Sequence, residues 1–207
     1  MSDVKNVFKA LWDDWLDSRD KKKNFVETLE KAEAGDAEAQ YSLGKIYEYN
    51  FDKVVPQVDY AEAVKWYRKS AEQGYSASQF SLGWMYVRGN GVPQDYAEAV
   101  KWFRKSSEVG NAEAQNTLGY MYVTGKGLCA AHKKGVPINY AEAMKYYRMA
   151  AEQGDMQAQH SLGKMYELGH GVPKDMTEAT KWIRKAAEQK YYTAKIWLEK
   201  NAKEKGQ

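Results

Sequence analysis

The hydrophobic positions of this chain recur in groups that have the spacing of amphipathic helices, and the groups themselves repeat. Each group centres on a leucine, and these residues are Leu43, Leu82, Leu118, Leu162 and Leu198. They are separated by 39, 36, 44 and 36 residues, which a period of 36 with insertions of 3 and 8 explains. A fixed period in this range predicts an all-α solenoid of stacked repeats.

Each repeat is predicted to contain two helices, which we call helix A and helix B. Helix A runs from about Ala37 to Tyr49 in the first repeat. Its predicted N-caps in three repeats are Asp36, Asn111 and Asp155. Helix B follows an Asp or Asn with Glu three residues later, which predicts a capping box at Asp59–Glu62, Asp95–Glu98, Asn139–Glu142 and Asp175–Glu178. We therefore assign these carboxylates to helix capping and not to acid–base catalysis.

Two further features of the repeat concern packing. Helix B carries large paired side chains, which we expect to fill the space between helix layers: Trp66–Tyr67, Trp102–Phe103, Tyr146–Tyr147 and Trp182–Ile183. Helix A carries an internal glycine at Gly44, Gly83, Gly119 and Gly163. Since glycine costs roughly 1 kcal/mol relative to alanine inside a helix, these positions predict a neighbouring helix too close for a Cβ atom. The last unit has Glu199 at this position, where no further helix B follows.

The ends of the chain and two loops depart from the repeat. We expect an amphipathic helix over about residues 2–18 and a second helix over Phe25–Ala34, capped by Asn24. The first helix could cap the solenoid, cover its groove, form a mobile arm or make a dimer contact. The predicted organisation is capping helices over 1–35, repeats over 36–74, 75–110, 111–154 and 155–189, and a half-repeat with a polar tail over 190–207.

Composition excludes several classes of function. The net charge is +3 and its charges are mixed, which does not indicate a nucleic-acid-binding protein. No apolar run approaches the ~20 residues of a membrane helix, and no secretory signal is visible. The single cysteine, Cys129, excludes an internal disulfide framework, so we expect a cytoplasmic protein.

Catalytic and metal-binding chemistry has little support in the sequence. Cys129 and His132 lie together in the insertion Leu128–Gly135, where a thiolate–imidazole pair could act as a nucleophile or bind a metal. A metal site needs three or four ligands, and no others are nearby in sequence. A surface insertion is the favoured interpretation, and we predict no catalytic residue, no metal and no cofactor.

Three sequence motifs recur between Asp36 and about Glu188, and they resemble those of the Sel-1-like repeat (SLR) family. The motifs are A-x-A-Q-x-x-L-G-x-M-Y, G-x-G-V-P-x-D and A-E-A-x-K-W-Y-R-K-A-A-E-Q-G. The resemblance implies a right-handed α/α superhelix, similar to tetratricopeptide solenoids, with the A helices lining its concave side. It also implies an adaptor or scaffold role, and bacterial members include immunity proteins that neutralise toxins. A secreted branch has paired cysteines, which this chain lacks.

The candidate binding residues lie on helix A. At 100° per residue, the positions equivalent to 41, 45 and 48 lie opposite the core leucine, and their residues vary between repeats. Apolar groups facing away from the core usually mark a contact site. The predicted partner-binding residues are Tyr41, Lys45, Phe80, Trp84, Val87, Asn116, Tyr120, His160 and Lys164, and Glu48, Val123 and Glu167 complete the set. The alternative is that neighbouring repeats or the N-terminal helix cover them.

The sequence thus predicts a non-enzymatic protein, a monomer or homodimer, that binds a protein or peptide in its concave groove. Two functions stay open at this point. One is a general interaction scaffold, and the other is a bacterial immunity protein that occludes one secreted toxin or effector enzyme. The sequence does not name the partner.

Overall fold

The computed structural model describes residues 19–50, 54–125 and 137–205. These ranges form ten α-helices joined by turns and loops. The helices are α1 (Arg19–Glu33), α2 (Ala37–Tyr49), α3 (Tyr60–Glu72), α4 (Ser76–Arg88), α5 (Tyr96–Glu108), α6 (Ala112–Thr124), α7 (Tyr140–Glu152), α8 (Met156–Leu168), α9 (Met176–Glu188) and α10 (Tyr192–Lys205). The all-α repeat fold that the sequence predicted is confirmed.

The chain divides into two compact units, residues 1–94 and 95–207. In the first unit, α1 packs on α2, α2 on α3 and α3 on α4. Its core contains the fully buried Leu43, Tyr67, Leu82 and Met85. Phe25 and Ala32 of α1 are also buried, so α1 stands where a helix B would stand in a complete repeat.

The second unit contains α5 to α10, and each helix packs on the next. Phe103, Leu118, Leu162 and Ile183 are fully buried at the centre of this stack. At the end of the stack, Ala194 and Trp197 of α10 join a buried cluster with Ile183 and Ala186 of α9. Trp102 is half-buried, because its ring lies on the surface of α5 under the ammonium group of Lys105 at 4.3 Å. Of the pair expected to fill the space between helix layers, Phe103 is therefore the core residue and Trp102 is only partly buried.

The start of helix B has one of the two hydrogen bonds that the predicted capping box requires. Asp59, Asp95, Asn139 and Asp175 each accept a hydrogen bond from the backbone N–H of the Glu three residues later. The reciprocal bond of a capping box is not made at Asp59, because the N–H of Asp59 donates to the Tyr47 carbonyl at 2.9 Å. Asn139 and Asp175 donate in the same way to Tyr122 and Tyr166. The Glu side chains instead form ion pairs, as Glu62 does with Lys65 and Glu178 with Lys181.

The close approach predicted at the helix A glycines is confirmed at three positions. A Cβ on Gly163 would lie 2.5 Å from Cγ1 of Ile183 and 2.9 Å from the carbonyl oxygen of Ala179. Gly44 is similarly crowded by the Tyr67 ring and Gly119 by the Tyr147 ring. In each case the crowding residue belongs to helix B of the same repeat. Glu199 of α10, which stands at the equivalent position, is exposed.

Several boundaries differ from the sequence prediction. Helix α1 begins at Arg19, so Asn24 lies inside the helix and does not cap it, as expected for a run of Lys and Arg with good helix propensity. Asn50 adopts the left-handed conformation (φ 47°) and binds the backbone of Val55 in place of the loop glycines. Helix α10 continues to Lys205, so the predicted tail is mostly helical. The helix expected over 2–18 and the insertion Leu128–Gly135 lie outside the described residues.

Two hydrogen-bond patterns link successive helices and repeat with the sequence. Arg68, Arg104 and Arg148 of helix B each donate to a tyrosine hydroxyl 18 residues later, at Tyr86, Tyr122 and Tyr166. A buried glutamine of helix A donates to the carbonyl eight residues earlier, near the end of the preceding helix B, at Gln40, Gln79, Gln115 and Gln159. These bonds connect one repeat to the next, and they give a structural reason for the arginine that recurs in helix B and the glutamine that recurs in helix A.

Candidate functional site

The predicted binding residues of the first unit lie on the faces of α2 and α4 that point away from the core leucines Leu43 and Leu82. We call these the outer faces of the two helices. Lys45 is exposed, and Tyr41, Phe80, Trp84 and Val87 are half-buried. Glu48 is only 6% exposed, so its expected position away from the core is wrong. The helical angle placed it near the border of the outer face, and a partner from α3 draws it inward.

The carboxylate of Glu48 contacts side chains of α3 and α4. The hydroxyl of the fully buried Tyr67 donates to its Oε2 at 2.7 Å. Nη1 of Arg88, at the end of α4, lies 3.7 Å from its Oε1. Burial and the Glu48 carboxylate raise the pKa of Tyr67, so this phenol stays protonated and remains a donor. Glu48 thus ties the end of α2 to α3 and α4.

Aromatic and cationic side chains contact one another along α2 and α4. Phe80 and Trp84 meet edge to face with their ring centroids 6.3 Å apart, as their spacing on one helix predicted. The guanidinium carbon of Arg88 lies 5.3 Å from the centroid of the Trp84 ring. On α2, the Lys45 ammonium lies 5.7 Å from the centroid of the Tyr41 ring. Cation–π contacts of this kind hold long flexible side chains near the rings.

Sequence reasoning missed one position of this surface, the residue four after position 45. It is Tyr49 in α2, with 43% of its area exposed, and Arg88 in α4, whose side chain is 50% exposed. The spacing of four places both on the same side of the helix as Lys45 and Trp84, and this spacing was the available signal. We define the α2/α4 face as Tyr41, Lys45, Tyr49, Phe80, Trp84 and Arg88.

In the second unit, α6 has an exposed aromatic ring at the position of Trp84. Tyr120 is 43% exposed, and Asn116 and Val123 are half-buried. The amide nitrogen of Asn116 donates to Gln157 Oε1 of α8 at 3.2 Å. Leu168, the α8 residue equivalent to Tyr49 and Arg88, is 55% exposed.

The predicted residues of α8 are partly covered by the start and middle of α10. The His160 ring lies 5.3 Å from the Tyr191 ring, and burial followed by the Lys164 charge lowers the pKa of His160. Lys164 forms an ion pair with Glu167. Glu167 also accepts a hydrogen bond from Nε1 of Trp197 at 3.0 Å. The predicted binding residues of α8 are therefore partly covered by a neighbouring repeat, which is the alternative that the sequence left open.

The described residues contain no group of three or more His, Cys, Asp or Glu side chains that could hold a metal ion. Cys129 and His132 lie outside those residues. His170, one of the three histidines, stacks on the Tyr140 ring with centroids 4.3 Å apart, a contact between a loop and a helix start. None of the described helices is long and apolar enough to cross a membrane.

Comparison with known proteins gives the context for this geometry. The family model for the Sel1 repeat matches residues 37–75, 76–111, 112–155 and 157–191. A protective antigen of uropathogenic Escherichia coli strains that displays an SLR fold is 40% identical with a TM-score of 0.74, over 82% of this chain and 34% of that chain. A Sel1 repeat protein from Oxalobacter formigenes is 36% identical with a TM-score of 0.71, over 80% of this chain and 63% of that one.

This chain therefore spans about a third of the length of the E. coli protein and less than two thirds of the O. formigenes protein. An immunity protein from Pseudomonas aeruginosa is 21% identical with a TM-score of 0.50, over 89% of this chain and 64% of that chain, a likeness of fold alone. No curated protein matches the chain. Four matched repeats, covering most of the chain, identify it as a member of the Sel1 repeat family.

Proposed function

We propose that this chain is a non-enzymatic binding module that holds a protein or peptide partner against the outer faces of its A helices. Sel1 repeats generally mediate protein–protein interaction. The observation that carries the proposal is the α2/α4 face, where Phe80 and Trp84 present an aromatic edge-to-face pair at the surface of the first unit. Tyr and Trp are the residue types most enriched among interface hot spots.

A second argument is that these side chains are not needed by the repeat. The fold-maintaining positions of helix A hold nearly the same residues in every repeat, as Leu43, Leu82, Leu118 and Leu162 do. The position of Trp84 holds Lys45, Tyr120 and Lys164 in the other repeats. Residue types that change at a constant structural position are free to serve recognition.

The finer alternative is a bacterial immunity protein that neutralises a cognate secreted toxin by occlusion. The P. aeruginosa immunity protein is similar in fold, and that level of likeness does not distinguish a dedicated inhibitor from a scaffold. The two differ in stoichiometry and affinity. A neutraliser forms one tight complex with one enzyme, whereas a scaffold binds several partners more weakly.

The proposal is tested by selecting peptides from a random display library on the purified chain. We expect enriched peptides that bind the wild type and lose affinity for Trp84→Ala by about 2 kcal/mol. The control is Trp66→Ala, which removes a buried indole of α3, on the helix B side of the same unit. It should leave the peptide affinity of the folded protein unchanged, and a thermal melt identifies any loss caused by unfolding.

Two results would contradict the proposal. One is a library that yields no specific peptide with the folded protein. The other is a set of peptides whose affinity is unaffected by Trp84→Ala, because binding would then not involve the α2/α4 face.

A further inference from the structure

The charges of the α2/α4 face are distributed unevenly. Its buried carboxylate, Glu48, is already engaged by the Tyr67 hydroxyl and by Arg88. The exposed charged groups in the C-terminal halves of the two helices are then Lys45 and Arg88, both cationic. The exposed carboxylate of Glu38 lies about two turns away, in the first turn of α2.

Arg88 is held in place on two sides. Glu48 lies at 3.7 Å from its Nη1, and the Trp84 ring lies at 5.3 Å from its guanidinium carbon. Half of its side chain nevertheless remains exposed. Because a guanidinium has five N–H donors in a fixed plane, its contacts with Glu48 and with the Tyr49 hydroxyl leave further donors for a second carboxylate. Because the Trp84 ring restricts the rotamers of Arg88, this arginine loses less side-chain entropy when it binds.

We propose that the α2/α4 face selects acidic peptides, with an Asp or Glu side chain bound by Arg88 and Lys45 and an adjacent apolar side chain packed against Phe80 and Trp84. This inference rests on the proposed function and names the class of its partner. Arg88 acts as the specificity-determining residue because it is the exposed guanidinium beside the aromatic pair. Glu48 competes with the partner's carboxylate for the guanidinium of Arg88, so we expect it to limit the affinity.

The test uses the peptides enriched by display selection, synthesised with amidated C-termini so that only side-chain carboxylates remain. We expect Asp or Glu next to a large apolar residue to dominate the enriched sequences. Arg88→Gln should weaken binding by about tenfold or more, since a charge-assisted contact is lost and Glu48 then repels the peptide. Glu48→Gln should strengthen binding several-fold, because it removes a competing anion and keeps an oxygen that can accept from Tyr67.

Arg68→Gln is the matched control. Arg68 is an exposed arginine of the same unit that donates to the Tyr86 hydroxyl, outside the α2/α4 face. Its loss removes the same charge, so an equal loss of affinity for Arg68→Gln and Arg88→Gln would show non-specific attraction and overturn the inference. Thermal melts of each variant identify any loss caused by unfolding.

The two proposals fail differently in this experiment. If peptides are enriched and depend on Trp84 but show no excess of acidic residues, or if Glu48→Gln weakens their binding, the acidic preference is wrong and the binding face stands. If no peptide is enriched, the proposed function itself fails, and the inference fails with it.

Discussion

A Cβ atom on Gly119 would lie 2.6 Å from Cδ1 of Tyr147, which is closer than such atoms approach in proteins. Gly119 is therefore the contact point of α6 with α7, the two helices of one repeat. The same relationship links Gly163 with Ile183 across the two helices of the next repeat. Glycine inside helix A permits the short helix separation on which each repeat depends.

The first prediction concerns this contact. Gly119→Leu should lower the free energy of unfolding by about 3 kcal/mol, because the added side chain meets a buried aromatic ring that has no space to move. Glu199→Leu, at the equivalent exposed position of α10, should change it by less than about 0.5 kcal/mol. Urea titration of both variants measures the difference, and equal stabilities would contradict the close-packing account.

The second prediction concerns the end of α9. Lys190 has a positive φ of 66°, whereas the equivalent residues of the earlier repeats are glycines, such as Gly154 with φ 96°. The left-handed conformation costs an L-residue about 1–2 kcal/mol, so Lys190→Gly should stabilise the protein by about 0.5–1 kcal/mol. Gly154→Lys should destabilise it by the strain alone, because a Cβ there meets no atom within 4 Å. Thermal melts that shift in the same direction for both variants would refute this explanation.

The third prediction concerns the buried glutamines. Gln153 Nε2 donates to Oε1 of the buried Gln115 at 2.7 Å. Gln153→Val should leave that oxygen buried without a partner and cost about 1–3 kcal/mol. The chain already has valine at the equivalent position of the second repeat, Val109, and in that repeat Gln79 Oε1 is buried without a hydrogen-bond partner.

The control for this prediction is Gln57→Val, a change at an exposed loop position. Chemical denaturation of both variants should show a loss for Gln153→Val alone. If Gln153→Val is as stable as the wild type, the glutamine pairs do not contribute to stability.

The fourth prediction concerns alkaline pH. Burial raises the pKa of Tyr147 to about 12, above the value of 10.0 that it has when exposed in the unfolded chain. The folded state therefore keeps a proton that the unfolded state loses, so this stability is complete below pH 10 and is lost as the pH rises towards 12. Tyr147→Phe does not titrate, and it should show a smaller loss of unfolding free energy between about pH 9 and about pH 11.

Tyr192→Phe serves as the comparison, because it removes the same hydroxyl from a side chain that is 74% exposed. Denaturant titrations at both pH values measure how much unfolding free energy each protein loses. If Tyr147→Phe loses as much as the wild type, the phenol of Tyr147 does not limit alkaline stability.

Much of the fold follows from the sequence because the signals are local and repeated. The N-cap at Asp36 and the helix-ending Gly74 act on their own helix, and each reappears in other repeats. The crowded glycines could also be predicted, since only a close neighbour offsets the cost of glycine inside a helix. These features need no knowledge of how distant side chains meet.

The site was less predictable because its geometry depends on neighbouring helices. A projection at 100° per residue placed Glu48 outside, whereas Tyr67 of α3 and Arg88 of α4 hold it inside. The same projection omitted Arg88, because only the contact with Glu48 and Trp84 makes that residue part of the face. One helix considered alone contains no information about these partners.

The last prediction separates binding from stability. Trp84 is half-buried and contacts Phe80 and Arg88, so Trp84→Ala should cost well under the ~3–5 kcal/mol of a core aromatic residue. Phe103 is fully buried, and Phe103→Ala should cost about that full amount. Phe103, and not the half-buried Trp102, is therefore the appropriate core comparison.

The most direct test of the binding face is titration calorimetry of a selected peptide against Trp84→Ala and Phe103→Ala, with a thermal melt of each protein. Binding through the A helices predicts that Trp84→Ala keeps most of its stability and loses about 2 kcal/mol of affinity. It predicts the reverse for Phe103→Ala, with a large loss of stability and near-normal affinity in the folded fraction. If Trp84→Ala melts as early as Phe103→Ala, Trp84 belongs to the core. If it binds the peptide as tightly as the wild type, Trp84 does not contact the peptide. Either result would contradict the proposed binding face.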